Sequence, residues 1–522
     1  MNIKNKIPTF EEIQKDIERL KQKYGDRMDV KFGVSHPGIR QDKQREEPTT
    51  DKTLDLNFDY KPKDIKAYLD RYVIKQDSAK KALSIAICDH YNHVMECEQN
   101  PKARDEEYTK QNIIMIGPTG VGKTYLIRTL AKLIGVPFVK ADATKFSETG
   151  YVGGNVEDLV RDLVTQANGD LKLAQYGIIY LDEVDKIATP SNIIGRDVSG
   201  RGVQMGLLKL MEETEVDLRA TYDITSQMQA VMEFQQKGKV EKQIVNTRHI
   251  LFIVSGAFNG LKDIIKKRLN KSRIGFGADI QSQKEEKDYI QFVTSKDFVE
   301  FGFEPEFIGR LPVRVVCQEL SVDDLYQILK HSEDSIIKQY ENSFRAYGIE
   351  SLFSDNGLRR IAEKAYEEHT GARGLVTVCE RVLREFKYEL PSSSVRQFVV
   401  TGDVIENPVN ELQKLLREPD YNKKLVIQEQ IRRYEVGFFS KHGITIKFDP
   451  DAMGSITEQA MNNGVTPKQL CDDILRSYEH GLNLIKKNTG QDEFILTQEV
   501  IENPDKVLER WIRDSYSQKS KG

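Results

Sequence analysis

Apolar residues along this chain fall into two rhythms that alternate over its first three hundred residues. Short, nearly continuous apolar runs at 112–116, 137–140, 177–181, 250–254 and 313–316 predict buried strands. Between them the apolar positions take helical spacing, as in Leu126, Ile127, Leu130, Ala131 and Ile134, where Gly135 is a natural stop. Strands alternating with helices from about Leu56 to Cys317 predict an α/β fold, a parallel sheet with helices on both faces. From Ser321 to Pro408 the pattern is mainly helical, with one late strand at 397–401. The first 55 residues are strongly charged; Phe10 to Tyr24 could form one amphipathic helix, and Gln41 to Lys52 is polar throughout.

The tail, 409–522, repeats the helical unit before it. Gly348-Ile349 recurs as Gly443-Ile444 and Phe353 as Phe448, and Ile361 and Ala365 match Ile456 and Ala460, all at an offset of 95. Val404-Ile405-Glu406-Asn407-Pro408 returns intact as Val500-Ile501-Glu502-Asn503-Pro504, at 96. Five identical letters in near-constant register, with apolar positions matching between, point to a duplication.

The run at 112–116 leads into Gly117-Pro118-Thr119-Gly120-Val121-Gly122-Lys123-Thr124, a complete G-x-x-x-x-G-K-[ST] phosphate loop between strand and helix. Its glycines let successive N–H groups point inward around a triphosphate. Lys123 neutralises the β- and γ-phosphates, and the Thr124 hydroxyl ligates Mg²⁺. The run at 177–181 ends in Asp182-Glu183, 59 and 60 residues after Lys123. A buried parallel strand delivers such acids at its carboxyl end, where open α/β sheets bind ligands. Asp182 can hold Mg²⁺ through water, and Glu183 can orient or deprotonate the attacking water. Hydrolysis also needs positive charge at the γ-phosphate, for which Arg310 and Arg373 are candidates. The chain is expected to bind a nucleoside triphosphate with Mg²⁺ and hydrolyse it.

With 30% charged residues and a net charge of −4 over 522 residues, the balance argues against a general nucleic-acid or anionic-membrane binder. The five cysteines are scattered with no C-x-x-C pair, which predicts reduced, buried thiols and no zinc. No apolar h-region opens the chain and no apolar run is long enough to span a bilayer, so a cytoplasmic protein is expected.

The phosphate loop, the acidic strand, Gly150-Tyr151-Val152-Gly153, Arg196 to Gly200, Pro305 to Pro312 and Gly371 to Gly374 follow one another in an order that closely resembles the ClpX family of AAA+ protein unfoldases. The resemblance runs from about Tyr60 to Pro408. It implies an extension at 1–55, a large ATPase domain at 56–318 and a small domain at 319–408, followed by the repeat at 409–522. It further implies a homohexamer in which Arg310 reaches a neighbouring subunit's nucleotide and Arg373 senses nucleotide from the small domain. Ser255 takes the first sensor position, and Tyr72-Val73-Ile74 resembles the segment packed on adenine, with Lys75 where the family usually has Gly. By the same resemblance Tyr151 and Val152 line a central pore and grip the translocating polypeptide, Asn192 to Arg201 forms a second pore loop, and Ile274-Gly275-Phe276 docks on a ClpP-type peptidase.

The chain also departs from that family. Residues 1–55 contain no cysteine, so the family's N-terminal zinc domain is not expected. The basic pore-entrance loop has no match in Thr214 to Thr247, a longer, polar segment that reads as helical, and the repeat at 409–522 is foreign to the family. In it Lys468 falls where Arg373 stands and no phosphate loop accompanies it, so the tail reads as an interaction or ring-stabilising module. The leading expectation is an ATP-driven protein unfoldase that threads unfolded or tagged proteins through its pore. A remodelling chaperone without a protease, or a nucleic-acid motor on the same fold, are the alternatives.

Overall fold

The computed structural model describes residues 58–519 except 101, 104–107, 147–153, 190–199, 219–242 and 272–288. All belong to one compact unit, Leu54–Gly522. The five apolar runs become strands β1 (Ile113–Ile116), β2 (Phe138–Asp142), β3 (Ile178–Asp182), β6 (Leu251–Gly256) and β7 (Val313–Val316). They form one sheet in the order β2-β3-β6-β1-β7 with every pairing parallel. Parallel strands must be covered on both faces. Accordingly Ile113, Met115, Ile178 and Tyr180 pack into one apolar core, and Ile114, Ile116, Ile179 and Leu181 into another on the opposite side. The helix after β1, Lys123–Ile134, buries Leu126, Ile127, Leu130 and Ala131 and ends at Gly135, whose φ of +78° is left-handed.

Thr214 to Thr247 differs from the helical expectation at both ends. Glu215–Asp217 (β4) and Ile244–Asn246 (β5) pair antiparallel, with Val216 and Val245 buried. Three-residue strands carry too little alternation to register in a periodicity reading. Residues 219–242 lie outside the described residues, as do Phe10 to Tyr24, Tyr151, Val152, Asn192 to Ser199, and Ile274, Gly275 and Phe276.

After β7 come the helices Val322–His331 and Ile336–Arg345, and then a strand that the pattern did not predict, Glu350–Phe353 (β8). It pairs parallel with Gln397–Val400 (β9), around the helices Asp355–Glu367 and Ala372–Glu389. The pair is followed by the helices Gly402–Glu406 and Pro408–Arg417. The order recurs downstream. Thr445–Phe448 (β10) pairs parallel with Glu493–Leu496 (β11), followed by Gln498–Glu502 and Pro504–Lys519. Details recur as well. Ser354 N donates to Val400 O at 3.2 Å and Asp449 N to Leu496 O at 3.0 Å, with Ser354 and Asp449 each capping the next helix. The 18-residue helix Ala372–Glu389 is matched by two shorter ones, Pro467–Ile474 and Tyr478–Thr489. Leu412 and Leu415 pack in the core of the first unit, whereas Val507 and Leu508, in the matching last helix, pack in a core of the second.

Candidate active site

Strand order positions the chemistry. β3, β6 and β1 are neighbours, so Asp182 at the end of β3, Ser255 near the end of β6 and the loop leaving β1 meet at the carboxyl edge of the sheet. In that loop Gly120 and Gly122 have φ of +80° and +96°, a conformation L-residues with a Cβ avoid. Left-handed residues alternating with ordinary ones aim successive backbone N–H groups into a concave anion cradle. Gly120 is also crowded, since a Cβ there would lie 2.0 Å from the carbonyl oxygen of Thr370. Val121 is buried beneath the loop, while Pro118 and Thr119 are exposed.

Lys123 is buried at the start of its helix and donates from Nζ to the carbonyls of Gly117 (2.5 Å) and Pro118 (2.8 Å). Burial, helped by the charge of Arg373, pushes its ammonium below the usual lysine value. A buried cation with only neutral carbonyl partners suits a polyanionic ligand. Thr124 Oγ1 lies 3.3 Å from Asp182 Oδ2 and 3.2 Å from the Tyr180 hydroxyl. Burial acts to raise the Asp182 carboxyl, but the Ser255 hydroxyl (2.7 Å) and Lys140 Nζ (3.3 Å) outweigh it and leave the group below the usual aspartate range. A hydroxyl and an ionised carboxylate this close are the hard oxygen donors that Mg²⁺ takes beside substrate phosphates. Thr124 and Asp182 therefore fit that ion.

Glu183 follows on an exposed bend with φ of +57°. A left-handed non-glycine residue costs on the order of 1 kcal/mol, the kind of strain found where a side chain must be aimed. The cleft, about 390 Å³, is lined by Gly120, Lys123, Thr124, Asp182 and Glu183 together with Arg373, at the start of the helix Ala372–Glu389. Ser255 is fully buried beneath it.

Other expected positions lie outside this cleft. Arg310 is exposed on the surface and pairs with Glu212 at 2.7 Å. Tyr72, Val73 and Ile74 are not among the lining residues; the Tyr72 carbonyl accepts from Ser332 Oγ at 2.8 Å and Val73 is buried. Lys75 has φ of +60°, a left-handed conformation that glycine adopts far more readily than lysine. Here its ammonium is tied to Glu319 O and Asp324 Oδ2. Sequence reasoning missed Tyr180, Lys140 and Asp185. Tyr180 sits inside an apolar run and Lys140 in a strand, where neither stands out. Asp185 Oδ2 accepts from the Phe258 amide at 3.2 Å, pinning the turn after β6.

Comparison with known proteins agrees with this geometry. The family described as AAA domain (Cdc48 subfamily) matches residues 108–314, and the C-terminal, D2-small domain of ClpB protein matches 320–393. The ATP-dependent Clp protease ATP-binding subunits ClpX of Borrelia duttonii (strain Ly) and Borrelia recurrentis (strain A1) are 40% identical over 350 residues, 66% of this chain and 78% of each relative. This chain belongs to the ClpX family. ClpX of Treponema denticola is 38% identical over 351 residues, 66% of this chain and 81% of that protein. As a ClpX-family AAA+ protein the chain is an ATPase, with an α/β large domain and a helical small domain. Among the described residues no helix is long and apolar enough to cross a membrane.

Proposed function

We propose that this protein is a homohexameric, ATP-driven unfoldase that threads protein substrates through a central pore and delivers them to a ClpP-type peptidase. The observation that carries the reading is the convergence of Lys123, Thr124, Asp182, Glu183 and Arg373 on one cleft where large and small domains meet. Mg²⁺ held between Thr124 and Asp182 would neutralise charge on the substrate phosphates. Glu183 orients and deprotonates the attacking water. Arg310, exposed and outside its own cleft, serves as the finger for a neighbouring subunit's nucleotide. Tyr72, Val73 and Ile74 border the adenine. Tyr151 and Val152 grip substrate in the pore; of the described residues on either side of them, Gly154 N donates to Lys145 O at 3.1 Å. Ile274, Gly275 and Phe276 dock the peptidase.

We assign 418–519 to a copy of the small domain that lacks nucleotide chemistry and serves contacts with partners or neighbouring subunits. A boundary near Glu418, in place of Pro408, is supported by Leu412 and Leu415, which pack in the core of the preceding unit. The experiment is unfolding of a stable tagged fluorescent protein by the full chain with ATP, with and without a ClpP-type peptidase. ATP-dependent loss of fluorescence that vanishes in Tyr151→Ala while ATP hydrolysis persists is expected. Hydrolysis without unfolding of any tagged substrate would favour a remodelling chaperone that acts on specific complexes.

A further inference from the structure

Tyr180 occupies the third position of β3, between Ile179 and Leu181, and is fully buried against Phe138, ring centroids 6.3 Å apart. Packing alone asks only for the ring, and a phenylalanine would supply it. The hydroxyl therefore needs its own explanation, because a buried O–H without partners is costly. Its partners are functional groups: Ser255 Oγ at 2.7 Å and Thr124 Oγ1 at 3.2 Å.

The chemistry of these groups fixes the direction of the chain. An ionised Asp182 only accepts, so Ser255 spends its single proton on Asp182 Oδ1 at 2.7 Å. Ser255 must then accept from Tyr180, and Tyr180, its proton committed, can only accept from Thr124. The Thr124 proton has two acceptors at almost equal distance, Tyr180 and Asp182 Oδ2 at 3.3 Å. A dication shared by Thr124 and Asp182 would claim the Asp182 oxygen and repel a proton pointing at it. Tyr180 is the acceptor that remains, and turning the Thr124 proton toward it leaves a Thr124 lone pair free for the metal.

We propose that Tyr180 is a positioning residue for the metal site, accepting a hydrogen bond from Thr124 and donating one to Ser255, which in turn donates to Asp182. This rests on the reading of Thr124 and Asp182 as the metal-holding pair. Neither role requires Tyr180 to touch the substrate.

The test is Tyr180→Phe in the full chain, which keeps the ring. Affinity for a fluorescent ATP analogue in EDTA should stay within about twofold. The Mg²⁺ concentration for half-maximal ATPase should rise about tenfold, as expected for one lost hydrogen bond at a charged site. Mn²⁺ binding to the ADP complex, read by electron paramagnetic resonance without turnover, should weaken by the same factor. Ser255→Ala breaks the chain one link further on and should weaken Mn²⁺ similarly, with the double variant no worse than the worse single one. Unchanged Mn²⁺ affinity in Tyr180→Phe, or fully additive losses in the double variant, would overturn the proposal. If Tyr180→Phe does not fold, Ser255→Ala decides alone, and normal Mn²⁺ affinity there overturns it. Normal Mn²⁺ affinity in Thr124→Ala would instead refute the underlying assignment of the metal pair.

Discussion

The backbone amide of Ala372 donates to the carbonyl of Gly120 over 2.9 Å, so the first turn of a small-domain helix is hydrogen-bonded to the phosphate loop itself. The contact is close enough to exclude a side chain. Thr370 O stands 2.0 Å from where a Gly120 Cβ would be, and Gly371 faces Gly120 with φ of +61°. Gly120→Ala must therefore move the loop or part the two domains. Nucleotide affinity is expected to fall at least tenfold with the sheet intact, measured by fluorescent-nucleotide titration beside far-UV circular dichroism. Affinity within twofold of the parent would mean the contact does not govern the cleft.

Glu183→Gln should keep nucleotide binding, because Lys123 and Thr124 are untouched, and lose turnover by roughly 100-fold or more. Near-normal hydrolysis would point to a different carboxylate as the base.

Arg310 pairs with Glu212 on the surface instead of entering its own cleft. Arg310→Ala subunits mixed with Glu183→Gln subunits should recover part of the ATPase activity that neither shows alone, since mixed interfaces can join an intact finger to an intact base. Silent mixtures that demonstrably co-assemble would make Arg310 a structural residue of its own subunit.

Leu412 and Leu415 lie in the small-domain core, so a chain cut after Pro408 loses both and one cut after Arg417 keeps them. Burying a leucine contributes about 1.5–3 kcal/mol. The 1–408 form should melt several degrees below 1–417, and 1–417 should hold basal ATPase activity. Equal melting temperatures would return the boundary to Pro408.

Burial pushes His90 down to about 3 and His249 down to about 4. His90 donates from Nε2 to the His249 carbonyl at 3.0 Å, and the nearby Lys110 is pushed down to about 7, again by burial. Below about pH 6.5 the unfolded chain takes up protons that the folded histidines refuse, so stability falls as pH drops from there toward 4, by at most about 1.4 kcal/mol per unit and histidine. Lys110 acts in the same sense at higher pH, adding stability as pH rises above 7. His90→Gln retains a donor for the His249 carbonyl and should flatten the acid slope in urea melts; identical slopes would assign acid unfolding to other groups.

The large domain was legible because a buried parallel strand must be almost wholly apolar, and 112–116, 177–181 and 250–254 are. The phosphate loop and acidic strand were legible because backbone curvature and charge demand particular residues. β8 was not, being four residues, Glu-Ser-Leu-Phe, without clear alternation. Tyr180 was hidden for a different reason. Its ring satisfies the apolar pattern, and only the fold brings its hydroxyl to Thr124 and Ser255, 56 and 75 residues away.

The helix Pro419–His442 touches both repeated units. Near its start Val426 packs with Leu352 and Val399 on the first strand pair, and Asn422 Nδ2 donates to Gln397 O at 2.7 Å. Further along, Ile431 and Phe438 lie in the second unit's core. At 1.5 Å per residue, 24 residues form a rod of roughly 36 Å with no hinge glycine before Gly437. A few degrees of rotation at one end thus sweep the other through ångströms. A tail joined through such a rod would carry any rotation of the small domain outward, so a change at the cleft would be read as displacement far from the nucleotide, and a partner holding the far end would resist it.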